Sequence, residues 1–146
     1  MAEFSGYKTI IARETSTPGT YETFAQVRDL GGPSATADQI ETSHRDSLFR
    51  KFQAGMRDGG EMSFDIVFDP DLASHDPTLA TSTYKDWENG TVRNYKVTFP
   101  GTGTKTTTCT FSGVITGYEF DSPMEDALTA AITIKINGSL TWAHVP

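Results

Sequence analysis

A chain of 146 residues can bury one core, removing roughly two-thirds of its unfolded surface from water, so a single domain is expected. Its one cysteine, Cys109, excludes an intrachain disulfide framework and a multi-cysteine zinc site. With 12 Lys and Arg against 19 Asp and Glu, the formal charge of −7 opposes a non-specific grip on nucleic acid, which needs a basic surface.

The opening Met-Ala-Glu-Phe-Ser-Gly-Tyr-Lys has no apolar secretory core, and no run approaches the roughly 20 apolar residues of a membrane span. A soluble domain made without secretory processing is expected. Residues 1–20 read as an arm with at most one short strand, Lys8–Ala12, before the turn-forming Thr15–Thr20. Tyr21–Leu30 is a strand candidate ended by Gly31-Gly32-Pro33. From Asp46 to Gly60 charges of both signs mix with Leu48, Phe49, Phe52 and Met56. Leu48, Phe52 and Met56 stand at i, i+4 and i+8, which locally suggests an amphipathic helix.

Glu61–Asp69 is the clearest strand, with Met62, Phe64, Ile66 and Phe68 alternating against Ser63, Asp65 and Val67. Pro70 stops it. A helix is predicted over about Pro77–Glu88, capped by Asp76 and closed by Asn89-Gly90, with Leu79, Thr83 and Trp87 on one face, Leu79 and Trp87 packing on a sheet, and Ala80 and Tyr84 beside them. Three strands follow: Thr91–Phe99, Thr106–Phe120 with bends at Gly113 and Gly117, and Ala130–Trp142. Asn137-Gly138 fits a hairpin turn, yet Ile132, Ile134, Ile136, Leu140 and Trp142 keep one parity through it, so a bent strand fits as well. The pattern is a mainly β domain with one flanking helix.

Catalysis needs convergent groups in tuned surroundings, and none gathers here. His44, His75 and His144 are scattered outside any metal-ligand spacing and read as exposed loop histidines. Cys109, mid-strand, reads as a small buried hydrophobe rather than a nucleophile. The carboxylates of Asp69–Asp76 lack the rhythm and closing glutamate of a calcium loop and suit a helix cap better. Phe64, Phe68, Tyr95, Phe99, Phe111 and Trp142 fall at core parities, against a sugar-binding aromatic face. No enzyme, metal or cofactor is expected.

Three segments, taken in order, carry a resemblance to a known family. The first is Phe24-Ala25-Gln26-Val27-Arg28-Asp29-Leu30 before Gly-Gly-Pro. The second runs from Glu41-Thr42-Ser43 to Gly60-Glu61-Met62-Ser63-Phe64-Asp65-Ile66. The third is Trp87 through Pro100, followed by Phe111-Ser112-Gly113-Val114-Ile115 and an Ile-x-Ile-x-Gly pattern at Ile134–Gly138. Together they resemble the tail tube (major tail) proteins of lambda-like, non-contractile-tailed phages, over roughly residues 21 to 142.

The resemblance implies two packed antiparallel sheets in a barrel-like sandwich with one helix, a fold shared with type VI secretion tube proteins. It implies a structural virion protein whose sixfold rings stack into a tube for genomic DNA, built in the bacterial host cytoplasm. Partners implied are further copies of the chain, the tape measure, tail terminator and distal tail proteins, with DNA passing unbound and no membrane. The whole of 1–146 would be one tail tube domain: an arm at 1–20 and a mobile loop or hairpin at 43–60 that orders on assembly. Leu48, Phe49, Phe52 and Met56 would then make subunit contacts, against the local helical reading. No immunoglobulin-like decoration follows, so a plain-surfaced tube is expected. A tube subunit of a contractile tail or type VI system, and a ligand-binding β-sandwich, are the rival readings.

Overall fold

The computed structural model describes residues 9–15, 17–24, 27–79 and 81–146. Among the described residues, nine strands and one helix follow in chain order: β1 (Ile10–Glu14), β2 (Tyr21–Thr23), β3 (Val27–Gly31), β4 (Thr36–Glu41), β5 (Phe52–Asp58), β6 (Glu61–Val67), α1 (Thr83–Asn89), β7 (Val92–Pro100), β8 (Thr106–Asp121) and β9 (Thr129–Val145). Seven strands form one antiparallel sheet ordered β2-β1-β7-β8-β9-β6-β3, and β4 and β5 pair alone. The expected layers are two halves of that one sheet, which curls on itself. Phe24, just past edge strand β2, lies 5.0 Å between ring centroids from Phe64 in β6.

Alternation explains the core. Met62, Phe64 and Ile66 of β6 point inward, as do Tyr95 and Val97 of β7, Cys109, Phe111 and Ile115 of β8, and Ile132, Ile134 and Ile136 of β9. Cys109 is fully buried, and burial pushes its thiol pKa up, as suits an inert hydrophobe. β9 runs unbroken through Asn137-Gly138, which is a bulge where the β8 pairing shifts from Ser112↔Asn137 to Thr110↔Thr141. Trp142 departs from its core assignment: past that bulge it is exposed and stacks on Phe99.

The helix also differs from its sequence reading. Asp76 does cap, but only a turn, its carboxylate accepting from the backbone N–H and hydroxyl of Thr78. These bonds hold its pKa below the ordinary 3.8. Ser82 is the true N-cap, accepting from the Lys85 N–H, and Gly90 closes the helix at φ +64. Leu79 therefore precedes α1, and Leu79 and Trp87 are each 40% exposed, so both are only partly covered. The residues α1 buries are Thr83 and Asp86. Ala80 and the arm residues 1–8, Lys8 included, lie outside the described residues. A second correction concerns His75, which is buried: its Nδ1 accepts from the Asp69 N–H and its ring stacks on Phe68.

Because its ring keeps much of its hydration, Trp87→Ala should cost only about 1–2 kcal/mol, not the 3–5 of a buried Trp. A urea titration checks this; a loss above about 3 kcal/mol would restore the core assignment.

Candidate assembly surface

α1 is fastened by charge. Asp86 accepts a hydrogen bond from Arg13 of β1, 2.8 Å from Nη1 to Oδ2, and forms an ion pair with Arg93 of β7, 2.9 Å from Nε to Oδ1 but without hydrogen-bond alignment. Arg13 also donates to the Thr81 carbonyl. Asp86 and Arg13 are buried and Arg93 mostly so, which makes the pair of contacts a desolvated clamp between helix and sheet. The Tyr95 hydroxyl lies buried near it with no hydrogen-bond partner among the described residues. Burial, and then the Asp86 carboxylate, raise its pKa above the ordinary 10.0.

The β4–β5 ribbon contrasts with this body. Its residues are exposed nearly throughout, and its ladder joins Glu41 to Phe52 near the tip and Thr36 to Asp58 at the base. Leu48 is 95% and Phe49 83% exposed, with Ile40, Phe52 and Met56 exposed beside them. No helix forms over 46–60. Phe52 and Met56 lie in β5, and Leu48 and Phe49 in the connection, where the Lys51 N–H donates to Ser43 Oγ and the Thr42 N–H to the Lys51 carbonyl.

The ribbon leaves the barrel where β6 begins. The Ile136 N–H donates to the Gly60 carbonyl, the Gly60 N–H to Asp58 Oδ1, and Lys135 pairs with Asp58 at 3.1 Å. These groups lower the Asp58 pKa, the Gly60 N–H most. A groove of about 920 Å³ opens between ribbon and β9, lined among others by Ala37, Met56, Ile136 and Leu140. Gly60 sits at φ +78, and a Cβ there would meet the Ser34 carbonyl oxygen at 1.9 Å. Gly60→Ala should therefore cost upward of about 2 kcal/mol, while Gly103→Ala, also at positive φ but in open space, costs about 1. Equal losses in denaturant titrations would show that the ribbon base is not sterically fixed.

Nothing in this arrangement gathers an acid, a base and a nucleophile. Asp69 accepts from the Asp71 N–H, His44 and His144 lie far apart in the sequence on exposed segments, and no group of three or more His, Cys, Asp or Glu able to hold a metal occurs among the described residues. What stands out is apolar surface on a projecting ribbon, a feature of chains that bind other protein.

A family model described as "Lambda phage tail tube protein, TTP" matches residues 7–143. The chain belongs to that family. It is a structural subunit of a phage tail tube, a component of the virion tail, and not an enzyme. A tail tube is a polymer of its subunits, so membership carries self-assembly with it. No curated protein matches the sequence. Among solved structures, this tail tube protein resembles a chain from the "tail of empty GTA particle", refined with C6 symmetry. The TM-score is 0.79 at 19% identity, over 97% of this chain and 99% of the other. A chain from the virion of the native gene transfer agent particle gives 0.74 at 17%, covering 97% and 99%. The SPP1 tail tube gives 0.71 at 12%, covering 96% and 78%. At such identities the likeness shows the tail tube fold alone.

Proposed function

We propose that six copies of this chain close a ring, that rings stack into the tube, and that the β4–β5 ribbon is the segment through which copies engage. The observation carrying this is the ribbon's exposed Leu48 and Phe49, apolar side chains with no partner surface in the body. C6 symmetry in the related gene transfer agent tail supports the ring number. A head-to-tail contact that closes by rotation leaves both ring faces free to repeat, so one subunit type builds a tube of any length. Residues 43–60 act as the assembly segment, and 1–146 as one tail tube domain.

Genomic DNA passes through the lumen without specific binding. A subunit with net charge −7 repels phosphate overall, whereas inward cations would hold DNA through counterion release. Tape measure, tail terminator and distal tail proteins complete the set of partners at the core and two ends of such a tube. Sedimentation at rising concentration with negative-stain imaging tests the reading: sixfold rings or tubes are expected, and monomers alone at high concentration would overturn it.

A further inference from the structure

Two exposed apolar segments sit at opposite poles of the barrel, and they carry opposite charge. The ribbon tip, Ser43–Lys51, presents Leu48 and Phe49 among Arg45, Arg50 and Lys51 against one carboxylate, Asp46. This is a local charge of +2 on a chain whose total is −7. The β8–β9 connection with its strand ends, Glu119–Leu128, presents Phe120, Met124 and Leu128 among Glu119, Asp121, Glu125 and Asp126, with no Lys or Arg. Met124 is 100% exposed.

Their placement follows from register. β6 begins at the ribbon base, where Glu61 pairs with Lys135, and ends where Val67 pairs with Thr129 and the Phe68 N–H donates to the Leu128 carbonyl. The β9 residues between those pairings set ribbon base and β8–β9 connection roughly 20 Å apart along the strands. Phe120 has firm backing there, 5.0 Å from Phe68 and 5.1 Å from Tyr118 between ring centroids. One pole is thus an extended basic, apolar probe, and the other an acidic, apolar seat on the rigid body.

We propose that the ribbon tip of one copy docks on the Glu119–Leu128 seat of a second copy, joining successive rings end to end. This rests on the tube reading above and adds the surface that receives the ribbon. Leu48 and Phe49 meet Met124, Phe120 and Leu128, while Arg45, Arg50 and Lys51 face the four carboxylates. Both segments lie on the same chain at opposite poles, so the contact is heterologous and gives the stack a direction. Opposite charge speeds encounter and fixes register; it also repels the two wrong pairings, tip to tip and seat to seat.

Charge exchange tests it. Arg50→Glu with Lys51→Glu, and separately Glu125→Lys with Asp126→Lys, should each raise the critical concentration for polymerisation about tenfold at low salt. All four changes in one chain should return it to within about threefold of the original, since complementarity is restored with signs reversed. A fourfold variant that assembles worse than either pair would overturn the docking. A second measurement is independent of charge. Ser47→Cys with Ser122→Cys, which leaves the apolar and charged contact residues in place, should give a ladder of disulfide-linked chains when tubes are mildly oxidised, Cys109 being fully buried and silent. Tubes that form without the ladder, or that link instead through Ser47→Cys with Ser139→Cys in the groove, would sink this contact and leave the tube reading standing. If the unaltered protein makes neither rings nor tubes, both fall.

Discussion

Asp86→Ala is expected to destabilise the folded subunit by about 3–5 kcal/mol, the largest loss for any single side chain of α1. The substitution leaves Arg13 desolvated beside Arg93 with only the exposed Glu22, 4.0 Å away, as a counter-charge, and Thr83 is the other buried residue of the helix. Replacing the whole clamp is a different experiment. Arg13→Met, Asp86→Leu and Arg93→Met together remove the unpaired charges along with their desolvation cost, so the triple variant should lose less than Asp86→Ala alone. Urea titrations at constant slope give both values. A loss under about 1 kcal/mol for Asp86→Ala would mean that water reaches the clamp and that something else holds the helix.

Phe49→Ser with Phe52→Ser should abolish tube formation and leave the isolated subunit within about 1 kcal/mol of its original stability. Both rings are largely exposed, so the folded subunit loses little by their removal. In the tube each would leave water, and that burial offsets the entropy of fixing the ribbon. Hydrogen exchange should show the same division. The β4–β5 ladder has no packed face, so its amides should exchange quickly in the free subunit and slowly in tubes. Normal polymerisation of the double variant, or a ribbon already protected when free, would overturn the assignment.

Much of the barrel was legible because half-buried strands print their alternation directly: β6, β7, β8 and β9 were found within a few residues of their ends. The ribbon misleads for an arithmetical reason. A spacing of four is close to one helical turn, but it is also two strand repeats, so Phe52 and Met56 fit β5 as well as a helix. β4 was missed since all its residues face water and no alternation marks it. The helix start was misplaced because Asp76-Pro77 carries the chemistry of a cap and spends it on a turn, six residues before Ser82 does the work. The clamp was invisible: Arg13 stands 73 residues before Asp86, and only the β1–β7 pairing brings it beside Arg93 at the helix. The seat at Glu119–Leu128 left no signal beyond an acidic connection, whose meaning depends on which pole it occupies.

The interleaved strand order governs what a growing chain can do on the ribosome. β9 comes last among the strands yet lies inside the sheet, bonded to β8 on one side and β6 on the other. β6 and β3 therefore have no route into the sheet until β9 has been synthesised, and the barrel cannot close before then. The β4–β5 ribbon needs only its own local pairing and emerges some 70 residues ahead of the β8–β9 connection. Nascent chains on one messenger thus display sticky tips while none yet offers a finished surface to receive them.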